Sequence, residues 1–366
     1  MANLDLRRYA PTFSIKIGGS PQRELERAVM SISVDESIEK ASMFTINLSE
    51  GLDLETQTFR WLDNSILNPG SDKDVEIRMG YAGNPSKSKE PTISGVITNL
   101  EPSFPSSGIP SLKVSGYDHS FRLQRSTARN EKTFSNERDY AEIARKIAKK
   151  HHLGEGDIDP AFKPPDTTAP DNESSDYEFL DGLAKSVGYE FFVRDKKINF
   201  RKPKDQAEET RSLRWGREIM SFSPNMNTAN VVTKVTVRGH NPDDPSNPIV
   251  GIATSSDQEF GESGAESAGK FVRSNREVEI TGRNVSSAEE AKALAKGHLI
   301  RANNSLIEGT CECIGIPEIR AGTNIRIEGV GRRFSGKYYL KSARHSIGEG
   351  GYTLSLTVRR GGVGAV

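Results

Sequence analysis

Six histidines, two cysteines and the acids that follow strands are the side chains here whose types could bind metal or move protons. His119 follows Gly116-Tyr117-Asp118 at the end of a strand, His151 and His152 close a helix, and His240 precedes an Asn241-Pro242 turn. His298 lies on a late helix and His345 ends a strand. A helical zinc site needs two histidines four apart with a carboxylate beside them, and no pair has that spacing. Capping, turn and surface roles fit each one. No G-x-S-x-G is present, so there is no nucleophile elbow. Asp118 suits a turn or hydrogen-bond anchor, and Asp176 and Glu178 suit the first turn of a helix. No spacing picks out a carboxylate pair for glycoside cleavage. Gly329-Val330-Gly331 lacks the GxGxxG pattern and reads as a turn. The expectation is no catalytic residue, no metal and no cofactor.

Cys311 and Cys313 stand two apart on one expected strand, so their side chains share a face. That spacing does not suit a disulfide between them, and without a second pair it makes no structural zinc site. They read as two small buried thiols, fitting synthesis in a reducing compartment. Lys+Arg and Asp+Glu are both 50 in 366 residues, a formal net charge of zero. A nucleic-acid binder held by phosphate neutralisation would show a basic excess. The basic clusters Arg122/Arg125/Arg129, Arg145/Lys146/Lys149/Lys150 and Arg332/Arg333 lack interleaved aromatics and read as solvated faces. The N-terminus has no apolar h-region and no apolar run reaches membrane length, so neither a signal peptide nor a membrane anchor is expected.

Positioning comes from strands. Thr310–Ile314, Asn324–Glu328, Lys337–Ala343 and Tyr352–Val358 alternate with period 2 between Gly- and Pro-bearing turns, the pattern of half-buried antiparallel strands. Near the N-terminus, Phe13–Ile17, Val29–Val34, Met43–Leu48, Asp74–Met79, Thr92–Thr98 and Ser111–Ser115 read the same way. Leu54–Leu67 has helical spacing and ends at Asn68-Pro69-Gly70. Between the strand-rich ends, a helix over Tyr140–Lys150 is expected after capping candidates Ser135 and Asn136. A second helix starts near Ser174-Ser175-Asp176 and stops at Gly188, and a hairpin of Glu190–Arg194 and Lys197–Arg201 turns at Asp195-Lys196. Val231–Arg238 and Ile249–Thr254 read as strands, Phe260–Gly269 as a mobile loop, and Val285–Ala302 as a helix.

The fold class expected is mainly β with an α+β insertion: two β-barrel (tube-like) domains flanking a small helical/mixed domain. Residues 1–125 form the first barrel with a short helix, 126–205 the insertion, and 206–366 the second barrel with one helix and a flexible Gly-rich C-terminal end. The helices Leu54–Leu67 and Val285–Ala302 would be counterparts in an architectural repeat.

Three stretches together resemble the late control protein D family of contractile phage tails, the baseplate hub also found as the N-terminal part of VgrG spikes in type VI secretion. The first runs to Gly116-Tyr117-Asp118 with Leu123 after it. The second is Ser175-Asp176-Tyr177-Glu178-Phe179-Leu180 with Gly188-Tyr189-Glu190. The third is Gly315-Ile316-Pro317, Ala321-Gly322, Gly329-Val330-Gly331 and Phe334-Ser335-Gly336-Lys337-Tyr338, with His345 and Tyr352 beyond. The motif residues carried over are Gly116, Asp118, Leu123, Asp176, Phe179, Leu180, Gly315, Pro317, Gly322, Gly331, Phe334, Gly336 and Tyr338. The resemblance implies a homotrimer with two barrels per subunit. Such a ring would adapt a hexameric inner tube to a trimeric spike or needle carried on a separate chain, beside baseplate wedge and LysM-type adaptor proteins. It also implies a place in a phage virion tail or phage-tail-like particle assembled in the bacterial cytoplasm, and no catalysis. The alternatives are a cell-wall (peptidoglycan) hydrolase, which needs an acid no motif supplies, and a carbohydrate-binding β module. The latter wants clustered exposed Trp and Tyr, yet the chain has two Trp, Trp61 and Trp215, far apart.

Overall fold

Each alternating segment can bury one face and leave the other wet, so it becomes a strand once neighbours complete its ladder. The computed structural model describes residues 10–53, 55–82, 91–125, 139–161, 174–229, 231–240, 246–254, 257, 276–283, 285 and 287–362. The first unit holds β1 (Pro11–Ile17), β2 (Ser20–Pro21), β3 (Val29–Ser37), β4 (Met43–Ser49), β5 (Leu52–Asp53), β6 (Thr58–Phe59), β7 (Asp74–Tyr81), β8 (Ile93–Ser103) and β9 (Ser111–Asp118). The middle carries β10 (Gly154–Ile158), β11 (Glu190–Arg194) and β12 (Lys197–Arg201). Then come β13 (Glu209–Arg214), β14 (Ile219–Met226), β15 (Lys234–Gly239), β16 (Ile249–Thr254) and β17 (Glu277–Arg283). The last strands are β18 (Ile307–Ile314), β19 (Asn324–Glu328), β20 (Gly336–Gly348) and β21 (Gly351–Arg360). The protein is mainly β, with two strand-rich units about a mixed one.

The two β units repeat one strand order. In space the first runs β1-β7-β8-β9-β4-β3, and the second runs β13-β19-β20-β21-β18-β14. Numbered along the chain within each unit, both read first, fourth, fifth, sixth, third, second. The irregularities repeat too. β8 slips register between Ile97 and Asn99 against β9, as β20 does between Leu340 and Ser342 against β21. β3 slips between Val29 and Ser31, and β14 between Ile219 and Ser221. Each slip leaves an exposed methionine, Met30 at 50% and Met220 at 54%. Following the ladders, Cys311 and Cys313 take the places of Ile46 and Leu48, and all four are buried, which explains the thiols as core. One difference stands: β1 runs antiparallel to β7, whereas β13 runs parallel to β19.

A seam joins the units into one 13-stranded sheet. β20 is 13 residues long; its first part pairs with β19, and Ser342–Ile347 pair antiparallel with Ser37–Ile32 of β3. Each unit keeps its own apolar core, one around Ile15, Phe44 and Val114 and one around Tyr338, Leu340 and Leu356.

The mixed unit forms as its sequence implies. Asp139 caps helix Tyr140–Lys150, and a Ser175/Glu178 capping box opens helix Asp176–Ser186. Ser135 and Asn136 lie outside the described residues. Asp195 and Lys196 both take positive φ, 48° and 62°, the backbone a two-residue hairpin requires. The mixed core gathers Leu123, Ile147, Leu180 and Phe200 with Val235, Val237 and Leu299. Strands β16-β15-β17 and the Ser287-capped helix Ala288–Asn303 therefore pack with the mixed unit, although they fall within 206–366.

The expected helix over Leu54–Leu67 is not formed. Within that stretch the described residues make β6, which pairs with β5, and a 3-10 turn at Ser65–Leu67. Side-chain acceptors take the N–H groups a helix would need: Asp53 binds Glu55 and Thr56, Glu50 binds Trp61 and Leu62, and Asn64 binds Ile66. Among the described residues of 1–125 the short helices are Arg23–Ala28 and Phe121–Gln124. Helix Ala288–Asn303 lies between the second and third strands of its unit and Leu54–Leu67 between the third and fourth, so the two are not counterparts. Phe260–Gly269 lies outside the described residues.

Gly116 sits where β4, β8 and β9 converge; a Cβ there would lie 2.0 Å from the Val96 carbonyl oxygen and 2.6 Å from the Phe44 ring. Gly116→Ala is expected to cost about 1–3 kcal/mol by overpacking. Gly350→Ala, which meets nothing within 4 Å, should be close to neutral; urea denaturation of both variants measures the difference.

Candidate functional site: a charged junction between the units

Where β3 leaves the seam, Glu36 follows Ile32 and Val34 on the inward face and is 4% exposed. The N-terminal unit thus drives a carboxylate into the interior, and the other two units supply its partners. Arg194, at the end of β11, approaches it at 2.7 Å, and Arg320, in the turn before β19, donates to both its oxygens at 2.9 and 3.0 Å. The Ala321 N–H adds a bond at 3.0 Å. Burial alone would raise this carboxyl, but the two guanidinium groups and their hydrogen bonds outweigh it and hold its pKa at about 2. Arg320 also donates to the carbonyls of Pro91 and Thr92, and Arg194 to that of Ala321.

A second carboxylate lies alongside. Glu190 accepts from the Tyr339 hydroxyl at 2.6 Å, with Arg201 at 3.7 Å and Arg359 at 3.5 Å. Here burial wins and the pKa is raised. Arg201 donates to the Gly322 carbonyl at 2.9 Å, and Phe192 lies between Arg194 and Arg201. Beyond Arg320, His345 is fully buried. Its Nε2 faces the Ile319 carbonyl at 3.0 Å and must donate, so Nδ1 accepts from the Tyr352 hydroxyl at 2.8 Å. Burial pushes its pKa down to about 4 and keeps it neutral. Tyr81 of the first unit donates to the Gly315 carbonyl at 3.0 Å. Backbone carbonyls and paired charges from all three units meet at this junction, which clamps them in one arrangement.

The motif residues fall at three places. Asp118 accepts from the N–H groups of Ser42 and Ser120 at 2.8 and 2.9 Å, and Leu123 and Leu180 share the mixed core, with Phe179 against it. Asp176 ties the two helices of that unit together through Lys150 at 3.0 Å and His151 at 2.7 Å. Gly315 and Gly322 line the junction, where a Cβ on Gly315 would strike the Tyr352 ring at 2.1 Å, and Pro317 is half-buried between β18 and β19. Gly331, Phe334, Gly336 and Tyr338 lie further along the second β unit, where the Tyr338 hydroxyl donates to the Phe334 carbonyl and Arg360 covers Gly336. The sequence reading missed Glu36, Glu190, Arg194, Arg201 and Arg320. Glu36 had a signal, a charge in phase with Ile32 and Val34; Arg320 had none.

One cluster invites a hydrolytic reading. Ser94 Oγ lies 3.2 Å from His119 Nε2, with Asp74 3.6 Å away. A relay needs the acid on the nitrogen opposite the serine, but here both address Nε2. His119 is fully buried, and burial holds its pKa down at about 4. Among the described residues no group of three or more His, Cys, Asp or Glu is arranged to hold a metal ion.

The sequence profile of the Alg8 N-terminal domain family matches residues 8–349. No curated protein matches the chain. Among solved structures it is similar to the 43 kDa tail protein of prophage MuSo2 from Shewanella oneidensis, at 15% identity and TM-score 0.69, over 96% of this chain and 99% of that one. It is similar to a tail protein from Neisseria meningitidis MC58 at 14% identity and TM-score 0.68, over 96% and 97%. It also resembles E. coli c3393, a type VI secretion component described as structurally similar to the T4 bacteriophage tail proteins gp27 and gp5. That match has 14% identity and TM-score 0.55, over 94% of this chain and 76% of that one. At these identities the likeness is one of fold.

Glu36→Met, placing at this position the residue type that Met226 provides in the second unit, leaves Arg194 and Arg320 without their counter-charge. The expected loss is about 3–5 kcal/mol by denaturant titration. His345 has a pKa of about 4 folded against 6.5 exposed. The unfolded chain therefore protonates first, and stability present above pH 6.5 is lost as pH falls to 4. Glu36, about 2 against 4.5, loses its contribution lower, between 4.5 and 2. Asp118, raised to about 6 by burial, acts oppositely and favours the folded state on the acid side. Against His345→Gln, in which Asp118 is unchanged, the unmodified chain should lose melting temperature more steeply between pH 6.5 and 4.

Proposed function

The chain belongs to the Alg8 N-terminal domain family, and we propose that it is a structural ring component of a phage-tail-like contractile machine, at the hub of its baseplate. The observation that carries this reading is the duplicated strand order: one polypeptide builds two β units of matching topology, with matching slips, joined edge to edge. Three such chains would present six near-equivalent β units around a centre, a match to a sixfold tube on one face and a threefold spike on the other. The likeness in fold to phage tail proteins and a type VI secretion component supports the same reading.

In this reading the domains start from 1–125, 126–205 and 206–366, with β15–β17 and helix Ala288–Asn303 assigned to the mixed unit, which lies outside the ring. The partners are further copies of the chain, an inner tube protein, a separate spike or needle chain, and wedge and LysM-type adaptor proteins, all within a tail or tail-like particle. The charged junction suits a part that transmits load, since a buried charge that leaves its partner there is uncompensated. Light scattering of the purified chain, alone and with a spike chain, is expected to give three copies, and negative-stain images a ring. A stable dimer under both conditions overturns the proposal.

A further inference from the structure

The seam within one chain describes the seam between two. Following the ladders, β8 is the counterpart of β20: each pairs with its unit's fourth strand over its first part, slips, and continues beside the sixth. β14 is likewise the counterpart of β3. In the chain, β20 after its slip pairs with β3. Among the described residues the equivalent edges, β8 after Ile97 and the outer edge of β14, have no strand beside them.

The burial of the two sets differs as a missing partner would make it. Along the internal seam Ala343 and His345 of β20 and Ile32, Val34 and Glu36 of β3 are buried. Their counterparts are wet: Leu100 is half-buried, Pro102 exposed and Phe104, counterpart of Ile347, 57% exposed although it packs on Phe59. On β14, Phe222, Pro224 and Met226 are half-buried where Ile32, Val34 and Glu36 are sealed. Long free edges with apolar side chains are templates for pairing with another chain.

We propose that β8 of one copy pairs antiparallel with β14 of the next, in the register that β20 and β3 use within the chain. Leu100 then faces Met226, Pro102 faces Pro224, Ser103 faces Ser223 and Phe104 faces Phe222. This deepens the ring reading and shares its premise that copies of the chain assemble. The Ile38 N–H donates to the Lys341 carbonyl, so Ser342 and Ser37 form a non-hydrogen-bonded pair and His345 and Val34, three steps on, a hydrogen-bonded one. In the new seam that hydrogen-bonded place falls to Pro102 and Pro224, neither of which has an N–H to give. The contact between copies therefore has two fewer backbone bonds than the internal seam. It forms more weakly, and proline on both edges restrains pairing with wrong partners.

Ser103 and Ser223 fall at a non-hydrogen-bonded pair, where Cα atoms stand about 4.5 Å apart, within reach of a disulfide. Both are exposed and the native thiols are buried. The full chain carrying Ser103→Cys and Ser223→Cys, oxidised mildly and run on a non-reducing gel, should move largely to a closed three-chain band. Each single variant should stay below it, and the offset pair Ser103→Cys with Asn225→Cys should cross-link several-fold less. A single-chain band from the double variant, or equal linking by the offset pair, overturns the register. A threefold mass by light scattering without the cross-link removes this seam and leaves the ring reading standing; a single-chain mass without it removes both. Hydrogen exchange on the unmodified chain is the second measurement: amides of β8 and β14 should slow at the concentrations where the larger mass appears, and unchanged exchange there counts against the seam.

Discussion

Six residue pairs between β3 and β20 hold this molecule in its form. Without them there are two β units, each with its own apolar core, and a mixed unit tethered between. With them the sheet runs unbroken from β14 to β2, and the orientation of one unit to the other is fixed by backbone geometry. Side chains then lock what the backbone aligns. The inward-facing Glu36 at the end of the paired stretch draws in Arg194 and Arg320 from the two other units. His345, neutral in the middle of it, spends both ring nitrogens on local partners. Apolar burial holds each unit, and directional polar contacts decide how they meet.

The strands were largely legible in the sequence because alternation is a local property. Asn324–Glu328 and Ile249–Thr254 form with the bounds their pattern implies, and the hairpin at Asp195-Lys196 follows from its turn. What could not be read was anything depending on a distant partner. Leu54–Leu67 has helical spacing, yet Glu50 and Asn64 claim its N–H groups. β13 and β14 carry weak patterns because most of their residues stay exposed or half-buried. The junction was hidden for a similar reason: Arg320 looks like any turn arginine until β3 arrives, 284 residues away in sequence. Only Glu36 betrayed itself, as a charge in step with Ile32 and Val34.

The repeat is one of geometry with the chemistry rewritten. Core positions exchange Ile46 for Cys311 and Leu48 for Cys313, conserving burial and little else. At the seam the exchange is sharper. Glu36, held by two arginines, corresponds to Met226, and His345, fully hydrogen-bonded, to Pro102. One edge specifies a permanent partner by charge and hydrogen bonds; the other keeps apolar surface and proline. A duplicated scaffold has thus been tuned separately at its two edges, as expected if one contact is made once on folding and the other only on assembly.

The seam also sets a schedule for biosynthesis. Its two strands are far apart in sequence, Ser37 pairing with Ser342, so a ribosome releases β3 long before β20 exists. During that interval the backbone N–H and C=O groups of β3 that later pair with β20 stand along an open edge. Contacts this remote in sequence are slow to close and leave the emerging chain open to mispairing with its neighbours. Protection of that edge is needed until β20 has been threaded out.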